Sequence, residues 1–218
     1  MSAWISLGGN RGNSLTLMER ALRRLRDHPR LHLFAISPYY LTEPVGPVRV
    51  QSWFLNAVVA CHSRMGPRAL LTLLLRIETA SGRNRQRERR WGPRPLDLDL
   101  LFFGDRVIRS TRLMLPHPRL CSRRFVLQPM ADLAPGWLHP LCGKTIDTLL
   151  KEVDDTARII RLKRWAWTPD KGTSLGAATL NAIRRMRTTR TERFSGAFEP
   201  QPDGTPGSPT LGDRDGLP

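Results

Sequence analysis

Leu96-Asp97-Leu98-Asp99-Leu100-Leu101-Phe102-Phe103 is the strongest strand signal in the chain, and the fold can be read outward from it. Successive side chains of a strand point to opposite faces. Leu96, Leu98 and Leu100 therefore share the core face, and Asp97 and Asp99 project side by side from the other. Upstream, Pro67 opens a helix that runs through Ile77 and Glu78, and Phe54 to Ala60 reads as a strand. Further back, Leu31 to Ser37 alternates as a half-buried strand does. Ser14 is the expected N-cap of a helix carrying Leu15, Met18, Leu22 and Leu25 at helical spacing. Ala3 to Leu7 is the first strand. The order is βαββαβ, so the expected class is α/β (α+β), a ferredoxin-like core. Downstream, residues 104–118 read as an added hairpin and Arg123 to Leu133 as the start of C-terminal helices.

Charge is the dominant compositional feature. Lys and Arg number 35 against 19 Asp and Glu, a formal net charge of +16, and the excess lies on both sides of residue 160. Such a balance suits polyanionic partners: nucleic acid, anionic lipid or nucleotide phosphates. Three cysteines without a CxxC pair fit a reducing, cytoplasmic setting better than a disulfide framework. No signal peptide and no membrane-spanning run is read. Residues 1–160 are expected to form a compact α/β domain and 161–194 a basic extension, helix or linker. In that extension, Arg184 to Arg193 could contact nucleic acid or a partner. Residues 195–218, rich in Gly, Pro, Ser and Asp, are expected to be disordered.

Two like charges two residues apart on one strand face raise each other's pKa unless something positive neutralises them. A hard divalent cation does so well, because magnesium takes one or two carboxylates and completes its shell with water and phosphate. A solvated strand face is the alternative for an isolated D-x-D. Here Arg83, Arg85, Arg87, Arg89, Arg90 and Arg94 sit directly upstream. Carboxylates for metal beside arginines for phosphate oxygens is the arrangement phosphoryl transfer needs.

The stretch Arg90-Trp91-Gly92-Pro93-Arg94-Pro95-Leu96-Asp97-Leu98-Asp99 resembles the signature of the hydroxymethyldihydropterin pyrophosphokinases of folate synthesis. Ile5-Ser6-Leu7-Gly8-Gly9-Asn10, Thr42-Glu43-Pro44-Val45-Gly46-Pro47, Phe54-Leu55-Asn56-Ala57 and Leu115-Pro116-His117-Pro118 with Arg123 extend the likeness, in order, over residues 3–150. The resemblance implies ATP-dependent transfer of a pyrophosphoryl group to 6-hydroxymethyl-7,8-dihydropterin; a monomer is expected. It implies two magnesium ions on Asp97 and Asp99, and Arg83 and Arg94 as transition-state stabilisers. Glu78, Arg85, Trp91, Arg94, Arg112, His117 and Arg123 are implied on the ATP side. Thr42, Val45, Phe54, Asn56, Trp91 and Phe125 are implied around the pterin. The residues give independent support for one pair: Phe54 and Asn56, two apart on a strand, face the same side, ring beside amide. The sequence departs from the family pattern at Leu75, Met114 and Pro118, and its arginine loop is one residue longer.

Two rival readings follow from the same residues. The fold order, the strand aromatics and the positive charge also suit an RNA-recognition module. However, its glycine- and aromatic-rich strand signature is absent, and the acids of the last core strand would repel a phosphate backbone. His117, Cys121, His139 and Cys142 could pair as zinc ligands, at unusual spacings and with both histidines flanked by proline.

Overall fold

A computed structural model describes residues 1–162 of the chain; the basic stretch Arg184–Arg193 and the 195–218 tail lie outside the described residues. At the centre of its sheet lies β1 (Ser2–Gly9), paired antiparallel on one side with β4 (Phe54–Ser63) and on the other with β5 (Asp97–Phe103). β2 (Leu31–Ile36) lies on the far side of β4. The order β5-β1-β4-β2 is that of a ferredoxin-like sheet, as expected from the βαββαβ pattern.

Alternation on β1 and β4 sorts the core into two layers. Ala3, Ile5, Leu7, Ala57, Val59 and Cys61 face α1 (Ser14–Arg26) and α2 (Pro67–Ala80). Trp4, Val58 and Ala60 face α3 (Arg124–Ala131) and α4 (Ile146–Glu152). Met18, Leu25, Leu70 and Leu74 are fully enclosed in the first layer. Each buried side chain of this size stabilises the fold by about 1.5–3 kcal/mol relative to exposure. The expected hairpin forms as β6 (Ile108–Arg109) and β7 (Met114–Leu115).

The structure differs from expectation in three places. The N-cap of α1 is Asn13, whose side chain accepts from the Thr16 N–H at 3.3 Å, and Ser14 is the first helical residue. The strand expected over residues 31–37 is prolonged by β3 (Tyr40–Thr42), which continues along the same edge of β4 after a break. Pro38 has no N–H to give the ladder, and Ser37 bridges the gap: its N–H donates to Val58 O and its Oγ accepts from Val58 N–H, both at 2.9 Å. Finally, β8 (Ile159–Arg161) adds a strand beside β3.

The C-terminal end of β1 is tied to the chain entering β5. The N–H groups of Asn10 and Arg11 donate to Arg94 O at 2.9 and 3.1 Å, and Arg94 N–H donates to Asn10 Oδ1 at 2.9 Å. Gly9 makes this crossing possible, because a β-carbon there would sit 2.4 Å from Pro95 O. Gly9→Ala is expected to cost about 1–3 kcal/mol by forcing the two backbones apart. A urea titration checks it; an unchanged midpoint would show that the crossing tolerates a methyl group.

Candidate active site

Three strands contribute one row of the site. Asp97 on β5 is opposite Gly8 on β1, which is opposite Asn56 on β4. All three are on the α3/α4 face of the sheet. Two strand spacings put Asp97 and Asn56 roughly 10 Å apart. Asp99 lies opposite Ser6. Glycine and serine between the functional side chains leave the sheet surface open; a β-carbon on Gly8 would come 2.6 Å from Asn56 Oδ1.

The first pocket over this row is charged. Arg83, Arg85, Glu88, Arg89, Arg90, Arg94, Asp97 and Asp99 line it, with Trp91, Gly92, Arg119 and Arg123. Asp97 pairs with Arg83 through a very short contact, with Arg94 Nε at 3.0 Å, and with Arg85 at 3.8 Å. Burial works to raise the Asp97 pKa, but Arg94, Arg83 and Arg85 outweigh it and hold the carboxyl below its ordinary value. Asp99 takes Arg123 Nη1 at 3.3 Å and faces His117 Nε2 at 3.9 Å. The His117 ring has a fixed polarity: its Nδ1 accepts the Arg119 N–H at 3.2 Å, which leaves Nε2 to carry the proton towards Asp99. Burial depresses its pKa, against the opposing pull of Asp99.

Glu78 lies beneath this surface and is only 1% exposed. It accepts from Arg83 at 2.7 Å, from Arg85 through both carboxylate oxygens, and from the Leu98 N–H at 2.7 Å. Thus α2, the arginine loop and β5 meet on one carboxyl. Burial pushes its pKa up to about 7, against the pull of Arg83. Glu88, within the arginine loop, ties it back to Arg11 at 3.0 Å and to Arg83 at 3.5 Å.

The second pocket is more apolar. Thr42, Glu43, Val45, Phe54, Asn56, Ser122 and Phe125 line it, with Trp91, Arg94, Arg119 and Arg123 shared with the first. Asn56 Nδ2 donates to Thr42 Oγ1 at 2.7 Å, which locks the amide against β3. The Trp91 backbone has φ +68°, unusual for a bulky residue, and its ring packs on Gly46. Gln51 holds that backbone by donating to Trp91 O at 2.9 Å while accepting from Asn10 at 2.9 Å. Two guanidiniums join the pockets in the same way. Arg94 lies 4.9 Å from the Phe54 ring centroid and pairs with Asp97; Arg123 lies 5.4 Å from that of Phe125 and pairs with Asp99.

The family model for 7,8-dihydro-6-hydroxymethylpterin-pyrophosphokinase (HPPK) matches residues 4–135, which hold both pockets and the carboxylates between them. The chain belongs to this family. A Synechocystis 2-amino-4-hydroxy-6-hydroxymethyldihydropteridine pyrophosphokinase is 38% identical over 176 residues, covering 81% of this chain and 84% of the relative. The Pseudomonas aeruginosa enzyme of the same name is 41% identical over 137 residues, covering 63% and 83%. Among solved structures, wild-type Plasmodium falciparum HPPK-DHPS has a TM-score of 0.53 at 18% identity in one crystal and 0.54 at 17% in another. The alignments cover 69% of this chain and 43% or 44% of those longer ones, a likeness of fold.

Most of the residues expected from the HPPK resemblance come together. All six on the pterin side line the apolar pocket, and Arg83, Arg85, Trp91, Arg94, Arg123 and both aspartates line the charged one. Glu78 is placed under the pocket and His117 beside Asp99. Arg112 is exposed in the turn between β6 and β7 and lines neither pocket. Sequence reasoning missed Arg119, Glu88, Ser122 and Gln51. Gln51 had no local signal, whereas Arg119 and Ser122 flank the motif residues His117 and Arg123. The zinc reading is overturned: among the described residues no three His, Cys, Asp or Glu side chains are placed to hold a metal ion, and His139 stacks edge-on against Phe102. The sheet face that an RNA-recognition module leaves open is covered here by α3 and α4.

Proposed function

We propose that the charged pocket holds the triphosphate of ATP and the apolar pocket holds 6-hydroxymethyl-7,8-dihydropterin, for the pyrophosphoryl transfer of the HPPK family. One observation carries this assignment: the two pockets share Trp91, Arg94, Arg119 and Arg123 as a common wall. A flat heterocycle between Phe54 and Phe125, read at its edge by Asn56, Thr42 and Val45, would direct its hydroxymethyl arm along the Asn56–Gly8–Asp97 row. The row is about 10 Å long, room for one arm and one phosphoryl group.

Asp97 and Asp99 fit two magnesium ions: both are oxygen donors, share one face, and need only water and phosphate to complete the shells. Bound there, magnesium would supply neutralisation of the triphosphate charge. The chain's own residues align and stabilise. The acceptor oxygen bonds to the β-phosphorus, the bond from that phosphorus to the bridging oxygen breaks, AMP leaves with that oxygen, and the hydroxyl proton passes to solvent. Arg83 and Arg94 neutralise charge developing on the transferred group, and Arg85 holds the phosphates. Trp91, backed by Gly46, excludes water from the junction. His117, with its proton on Nε2 facing Asp99 at 3.9 Å, would turn that proton to an ATP oxygen when nucleotide binds. One chain completes both pockets, which supports a monomer. Residues 1–160 form the catalytic domain, and the free cysteines suit the cytoplasm. Among the described residues no helix is long and apolar enough to cross a membrane.

The test is AMP formation by the purified protein with ATP, magnesium and the dihydropterin, each omitted in turn. AMP that requires all three is expected. AMP released without the pterin, or none from a protein that binds ATP, would defeat the assignment.

A further inference from the structure

Three arginines border both pockets, and they are not equivalent. Arg94 and Arg123 are held by Asp97 and Asp99. Arg119 forms no ion pair among the described residues; its guanidinium lies 5.1 Å from the Trp91 ring centroid. Its backbone is anchored, with the N–H donating to His117 Nδ1 at 3.2 Å and the carbonyl accepting from Ser122 Oγ at 3.2 Å. The side chain is exposed at the junction. The position is thus fixed and the charge uncommitted.

We propose that Arg119 is the ligand of the diphosphate once it is attached to the pterin, swinging from the Trp91 face to the phosphate oxygens. This rests on the pocket assignment above and deepens it. Magnitudes decide which contact wins. An exposed cation–π contact contributes about 0.5–1 kcal/mol. A hydrogen bond to a charged group contributes about 1.5–3 kcal/mol, and a guanidinium offers two in a fork. The pterin alcohol gives Arg119 no reason to leave Trp91; a phosphate at the junction does. Of the three arginines that line the apolar pocket, Arg94 and Arg123 keep a carboxylate partner on the sheet, so the mobile positive charge there is that of Arg119.

The experiment compares two ligands, 6-hydroxymethylpterin and its diphosphate, titrated by calorimetry into the parent protein, Arg119→Ala and Arg119→Lys. Arg119→Ala should weaken diphosphate binding about tenfold or more, equivalent to about 1.4 kcal/mol, and change alcohol binding less than about twofold. Arg119→Lys, with charge but no fork, should fall between. Alcohol binding also shows that each variant is folded. Equal losses for both ligands would mean that Arg119 only supports Trp91, and no loss for either would make it a solvated side chain; both overturn the proposal. A parent protein that binds neither ligand would instead bring down the pocket assignment, and this inference with it.

Discussion

Asp97→Ala and Asp99→Ala are each expected to lower AMP formation by about a thousandfold or more, the largest loss of activity available from one side chain. Removing a single preorganised electrostatic contact to a reacting group costs on the order of 10²–10³ in rate. Each aspartate supplies such a contact and also orders arginines that supply others. Asp97 gathers Arg83, Arg94 and Arg85, so its loss leaves Arg94 without its carboxylate partner and Arg83 and Arg85 sharing Glu78 at this face. Asp99 holds Arg123 and faces His117. Single-turnover AMP formation measures the loss, and pterin affinity, measured by calorimetry, separates it from general damage. Pterin affinity should stay within a few-fold, because the apolar pocket takes neither aspartate as a wall. Asp99→Ala should in addition raise the magnesium concentration needed for half-maximal rate. Turnover within tenfold of the parent in both variants would remove the aspartates from the chemistry and leave them as anchors for arginine.

The features legible in the sequence were those set by local periodicity. Asp97 and Asp99 could be placed on one face of β5 because Leu96, Leu98 and Leu100 mark the other, and all three leucines are buried. Phe54 and Asn56 could be paired by the same rule. The elements that escaped are the short ones formed by pairing rather than by pattern. β3 and β8 have three residues each, too few for alternation to register, and they exist because β4 and β3 offer unpaired edges. Asn13 rather than Ser14 caps α1 because Ser14 turns inward and is fully buried, a choice made by packing. That Thr42, Phe54, Trp91 and Phe125 surround one pocket is a matter of tertiary placement. The resemblance to the HPPK family named them together; no local rule does. Glu78 was named only through the resemblance, on the ATP side, and its three partners come from the arginine loop and from β5.

Those partners make Glu78→Ala the substitution expected to cost most in stability, about 3–5 kcal/mol. The carboxyl is enclosed, and nothing replaces it when it is cut away. Arg83, mostly buried, would keep Asp97 and Glu88 but lose its 2.7 Å partner, and the Leu98 N–H would lose its acceptor inside the protein. Glu78→Gln, which retains an acceptor for Leu98, should lose less. Urea unfolding of parent, Ala and Gln variants gives the order, and a Glu78→Ala midpoint equal to that of the parent would show that the cluster is dispensable. The pH dependence gives a second, independent check. A glutamate with an ordinary pKa of 4.5 is pushed here to about 7, so between those values the folded state holds a proton that the unfolded state has released. Stability from this group is therefore fully present below the ordinary pKa and is lost as pH rises through 7. The Gln variant has no such titration. Its deficit relative to the parent should narrow from pH 5 to pH 8, and a deficit that widened over that range would mean that Arg83 and Arg85 keep Glu78 ionised throughout.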